Sequence, residues 1–147
     1  MIAVSFRSIS ISDVVSNPGK IQDFAESYNI RINTVPNILK SLLGSERVAI
    51  KVLLNNGDTF RVGYETKNGR IIRIVEGSLE NPTVIVNTTQ TTIDRINNAK
   101  DPMGMFKKER GSGNLVIIGQ DLGTKLKLDA ALSSNRVLWF FYSILFG

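Results

Sequence analysis

The 147-residue chain contains no cysteine and no histidine, and only one tryptophan. Without cysteine there are no disulfides, no thiol nucleophile, no thiolate zinc site and no iron–sulfur cluster. Without histidine there is no imidazole general base, no Ser-His-Asp triad and no facial-triad iron. The sequence also lacks an EF-hand carboxylate run, the phosphate-loop patterns G-x-x-x-x-G-K-[ST] and G-x-G-x-x-G, and the nucleophile elbow G-x-S-x-G. Gly111-Ser112-Gly113 precedes a strand-like run rather than a helix, which makes it a turn. Asp23 and Glu26 lie one helical turn apart, but on the solvent side of their stripe. No set of residues supports catalysis, so a non-enzymatic protein with no metal and no cofactor is expected.

Long apolar runs are scarce as well. The nearest to a membrane span is Val137–Phe146, which as a helix is about 15 Å long, half a bilayer core. Met1–Ile11 carries a single Arg7 and no apolar run of secretory length. The expected location is the cytoplasm.

What is present suits one domain. A chain of this length buries about two-thirds of its unfolded surface, and 42% apolar residues suffice to fill the core. Eighteen Lys and Arg against thirteen Asp and Glu give a net charge of +5, a modest pull toward anionic surfaces.

The hydrophobic pattern changes period along the chain. Residues 2–11 alternate and predict an edge strand. Asn17-Pro18 starts a helix whose stripe is Ile21, Phe24, Ala25 and Tyr28. A second helix is predicted near Thr34, with Val35, Ile38, Leu39, Leu42 and Leu43 on one side and a stop at Gly44. Arg47–Leu54, Thr59–Thr66 and Arg70–Glu76 then alternate as strands, joined by Asn56-Gly57 and Asn68-Gly69. This is an antiparallel meander with Lys51, Arg61 and Arg73 on its polar face.

Pro82 opens a fourth strand over Thr83–Val86, and Asn87 with the following threonines caps a helix holding Ile93 and Ile96. Asp101-Pro102 starts a turn or helix carrying Met103, Met105 and Phe106, and Lys107–Gly113 reads as a loop. Asn114–Ile118 is a fifth strand, followed by a helix or strand over Leu122–Leu132 that Asp121 can cap. The final run Val137–Phe146 is apolar almost all round, so its own core, a partner subunit, a ligand or lipid must cover it.

This order resembles the sterol carrier protein (SCP-2-like) lipid-binding domains. The likeness lies in Asp101-Pro102-Met103, Phe106 and Gly113-Asn114-Leu115-Val116-Ile117-Ile118-Gly119-Gln120-Asp121, ending at Leu126-Lys127-Leu128, with Pro82-Thr83-Val84-Ile85-Val86 before it. It covers residues 34–132 of a single domain spanning 1–147. Residues 1–16 and 133–147 are extensions, the stretch between Phe106 and Gly113 is longer than usual, and Gln120 is inserted before Asp121.

The resemblance implies an α+β fold: a five-stranded, mostly antiparallel sheet with helices on one face, enclosing a hydrophobic tunnel. It implies non-catalytic binding and transfer of an acyl, sterol-like or isoprenoid chain. The expected lining from the sheet is Ile50, Phe60, Val62, Ile72 and Ile74. Met103, Met105, Phe106, Leu122 and Leu126 are expected from the later helices, and Trp139, Phe140 and Phe141 from the tail. Lys107, Lys108 and Arg110 are expected at an anionic head group or membrane surface.

Two rival readings remain. One is an interaction module with a filled tunnel that forms a homodimer through the apolar C-terminal segment. The other is a basic nucleic-acid binder, disfavoured because Phe106 stands alone without interleaved aromatics for base stacking; no nucleic-acid partner is expected.

Overall fold

A computed structural model describes residues 9–34, 37, 40, 44–133, 139, 140, 142 and 143. Its centre is a mixed five-stranded sheet of β1 (Arg47–Leu53), β2 (Thr59–Lys67), β3 (Arg70–Glu76), β4 (Val84–Thr89) and β5 (Val116–Gly119), in the order β3-β2-β1-β4-β5. The meander is present: β1 pairs antiparallel with β2, and β2 with β3. β4 lies parallel to β1, and β5 closes the far edge antiparallel to β4. The β2–β3 turn places Asn68 at φ 53° and Gly69 at φ 80°, the paired left-handed conformations that a tight two-residue hairpin needs.

Strand periodicity sorts the two faces of the sheet. Val48, Ile50, Val52, Phe60, Val62, Tyr64, Val84 and Val86 point into one core beneath the helices. Lys51 and Arg61 stand exposed on the other face, as the alternation predicts.

Ile72 departs from that pattern. The β2–β3 register slips between Glu65 and Thr66, so Thr66 faces Ile71 while Tyr64 faces Ile74. One extra residue on β3 reverses the parity. Ile71 is buried and Ile72 is 62% exposed, a correction to the expected lining.

The chain passes from β3 to β4 over the open face. Leu79 of this crossover sits on Gly63, where an added Cβ would lie 2.5 Å from the Leu79 Cβ. Only glycine lets the crossing chain approach so closely.

Helices cover the core face: α1 (Ile11–Ser16), α2 (Ile21–Arg31), α3 (Gln90–Asn97), α4 (Pro102–Gly111) and α5 (Leu122–Leu132). Asn17 caps a 3₁₀ turn at Pro18–Lys20 that leads into α2, so the Asn17-Pro18 signal marks a real start. α2 buries Phe24, Ala25 and Tyr28 as its stripe requires. The side-chain amide of Asn29 donates to the Ile71 carbonyl (3.0 Å) and accepts from its N–H (2.7 Å), satisfying the free edge of β3.

Two expectations are corrected. Ile11 opens α1 rather than ending a strand, because Ser10 and Asp13 form a capping box there. The Lys107–Gly113 stretch is not a loop, since α4 continues to Gly111: Lys, Glu and Arg are good helix formers whose polarity marks only an exposed side. The remainder of the predicted 2–11 strand, most of the helix predicted from Thr34 and most of Val137–Phe146 lie outside the described residues.

Candidate functional site

The site is built where α4 meets β5. Asp101 caps α4 by accepting the Gly104 N–H (3.1 Å), and Pro102 occupies the first turn, where a missing N–H costs nothing. Met103 and Phe106 follow one turn apart and enter the core. The far end of α4 is stitched to β5 through Glu109. Its carbonyl accepts the N–H groups of Asn114 (3.0 Å) and Leu115 (3.2 Å). Its buried carboxylate accepts from Arg95 of α3 (2.6 Å) and from the Asn114 side chain (2.6 Å). These bonds hold the Glu109 carboxyl below its ordinary pKa.

Between the second half of α4 and β5 lies a cavity of about 510 Å³, lined by Phe106, Lys107, Arg110, Gly111, Leu115, Val116 and Ile117. A second cavity of about 340 Å³ adjoins it, sharing Arg110 and Ile117 and adding Ile118, Gly119, Lys125, Leu128 and Asp129. The surface between helices and strand therefore sets the half-buried Val116 and Ile117, over the fully buried Phe106 and Leu115, beside three cations, Lys107, Arg110 and Lys125, and one carboxylate, Asp129. None of those three joins an ion pair among the described residues.

The C-terminal segment reaches this site. The Tyr142 ring meets Phe106 edge-on at 6.3 Å, and Trp139 meets Tyr142 at 5.5 Å. Phe140 turns the other way and packs on Tyr28 at 5.5 Å. Arg31 donates to the Ser143 carbonyl (2.5 Å), fixing the segment against α2.

The predicted residues divide into three groups. Phe106, Lys107 and Arg110 line the cavity, with Met103 buried and Met105 half-buried on the same helix. Ile50, Phe60, Val62 and Phe140 belong to the packed core, and Ile74 is half-buried against it. Leu122 (72% exposed), Leu126 (60%) and Trp139 (53%) stand largely in solvent, as does Lys108.

Leu122 and Leu126 were expected to face inward, but α5 buries Thr124 and Leu128 instead. Those two lie two residues on, nearly the opposite side of the helix. Asp121 sets that phase by accepting the N–H (2.8 Å) and hydroxyl (2.9 Å) of Thr124. Phe141 lies outside the described residues.

Leu115, Val116, Ile117 and Lys125 were not foreseen as lining. The signal was the unbroken apolar run Leu115–Ile118, with no solvent side of its own.

The architecture matches solved structures closely in extent. A crystal structure of sterol carrier protein 2 aligns at TM-score 0.54, covering 83% of this chain and 95% of that one, at 14% identity. The chain has the sterol carrier protein 2 fold. The sterol carrier protein domain 2 of Helicoverpa armigera aligns at TM-score 0.52 and 15% identity, over 82% of this chain and 89% of that chain. The UbiJ-SCP2 ubiquinone synthesis protein aligns at TM-score 0.52 and 11% identity, over 86% and 93%. No family model and no curated protein matches the sequence. At these identities the sterol carrier protein 2 likeness is one of fold. The function must be argued from the cavity.

Proposed function

We propose that the protein binds a lipid without chemistry, burying an acyl, sterol-like or isoprenoid chain between α4 and β5 and releasing it unchanged. The observation that carries this reading is the 510 Å³ cavity that sets Phe106, Leu115, Val116 and Ile117 beside Lys107 and Arg110. An apolar chain moved from water onto such a lining gains about 0.8 kcal/mol per buried methylene, and a cationic rim favours an anionic head. Met105, half-buried one residue before Phe106, offers a flexible side chain that adapts to chains of different shape. The likeness in fold to proteins whose names include sterol carriage supports the same reading. Among the described residues no helix is long and apolar enough to cross a membrane. The net charge of +5 inclines the protein toward peripheral contact with an anionic membrane surface as its route to lipid.

The test is titration of delipidated protein with a fluorescent acyl probe, displaced by unlabelled fatty acid. Saturable, competable binding that Ile117→Asp weakens at least tenfold is the expected result, since a carboxylate in the shared wall of both cavities repels the chain and its anionic head. Equal binding by the variant, with its folding verified by circular dichroism, would move the site elsewhere.

A further inference from the structure

We infer that the open face of the sheet carries a second binding site, for a phosphate group, between Lys51 and Arg61. The inference is independent of the lipid cavity, with which this site shares no residue.

Lys51 and Arg61 stand directly opposite each other on β1 and β2. Asn87 of β4 flanks Lys51, and Gly77, whose N–H donates to the Arg61 carbonyl (2.8 Å), flanks Arg61. This row of the sheet thus holds two cations, an amide and no carboxylate. Neither cation joins an ion pair among the described residues.

Like charges placed opposite across a strand pair are destabilising. One row of this face avoids that cost: Arg47, Glu65 and Arg73 alternate in sign across β1, β2 and β3, and Glu65 pairs with both arginines. Lys67 opposite Arg70 at the β2–β3 turn is one exception, and the Lys51–Arg61 row is the other.

That row borders a cavity of about 300 Å³ under the β3–β4 crossover. Ala49 and Ile85 form its apolar floor, Leu79 a buried wall, and Ser78 adds a hydroxyl. A guanidinium fork, an ammonium, an amide and a hydroxyl around one hollow match the oxygens of a phosphate. The apolar floor beside them suits a phosphate that carries a short hydrocarbon group.

The experiment is a nitrogen-15 NMR titration of the full chain with two probes: inorganic phosphate, and dihexanoyl phosphatidic acid below its micelle concentration. Saturable shifts at the amides of Lys51, Arg61, Gly77 and Ser78 are expected with both. Tighter binding of the phosphatidic acid assigns the site to a lipid head group, and equal binding assigns it to free phosphate; either supports the site. Lys51→Gln and Arg61→Gln, both exposed positions, should each weaken binding by about tenfold. Lys51→Glu should abolish binding while raising the thermal midpoint by about 1–3 °C, because it converts a repelling pair into an attracting one. Absence of saturable shifts at these amides, or shifts that survive both glutamine variants, would overturn the proposal.

Discussion

The two flanks of the sheet are filled to different degrees. On the β2–β3 flank Phe24, Tyr28, Tyr64 and Phe140 stack ring against ring at 5.5–6.4 Å, each almost wholly buried. On the β4–β5 flank two adjoining cavities open between α4, β5 and α5, and α5 leaves Leu122 and Leu126 in solvent. One flank spends its aromatic side chains on a closed core. The other keeps apolar surface uncovered, as the proposed lipid binding requires. The tail joins the two, with Phe140 in the closed cluster and Tyr142 on Phe106 at the open site.

Burial in the closed cluster also shapes its chemistry. Desolvation pushes the Tyr28 and Tyr64 phenols well above their ordinary pKa, so neither serves as a base near neutral pH.

The largest expected effect lies on the closed flank. Phe24→Ala removes a fully buried ring and should cost about 3–5 kcal/mol, read from the denaturant midpoint, while acyl-probe affinity of the folded protein stays unchanged. Loss of affinity at retained stability would erase the distinction between the flanks.

The seam between them is Glu109. Glu109→Gln gives up charge-assisted bonds to Arg95 and Asn114, and because Arg95 is partly exposed the cost at neutral pH should be about 1–2 kcal/mol. The carboxyl is held below its ordinary pKa in the folded state. Its stabilisation is therefore complete above the unfolded value of about 4.3 and disappears as pH falls through the lower folded value. Urea titrations of both proteins across that range should show their difference closing on acidification. A constant difference would mean that the charge of Glu109 is irrelevant to the seam.

The smallest effect sharpens the open flank. Arg110→Gln should change stability by less than about 0.5 kcal/mol, yet weaken an anionic acyl ligand by about threefold and leave a neutral one untouched. Competition assays with a fatty acid and its methyl ester distinguish the two. Equal loss for both would make Arg110 part of the wall for the chain rather than a contact for the head.

Much of this architecture was legible in the sequence. The paired Asn-Gly turns and period-two runs located the meander, and of the alternatives at Asp101-Pro102 (turn or helix) and after Asp121 (helix or strand) the structure takes the capped helix at both. Three features were not legible because they depend on bonding partners rather than on a residue's own polarity or period. The bulge that turns Ile72 outward depends on how β2 and β3 slide past each other. The phase of α5 is set by the Asp121–Thr124 bonds, whereas its own sequence places leucines on both sides. The helical continuation through Lys107–Gly111 is anchored by Glu109, a residue whose polarity suggested a loop. At the site, Phe106 stands in the family-like motif and Lys107 and Arg110 in a basic run, and all three line the cavity, while the contribution of β5 emerges only from the strand's place beside α4.

The claim that the open flank buries a lipid is tested most directly by organic extraction of the purified protein with quantitative mass spectrometry of the extract. The account predicts a lipid recovered at close to one per chain, or its stoichiometric uptake when the stripped protein is supplied with fatty acid. A protein that yields no lipid and takes up none would contradict it.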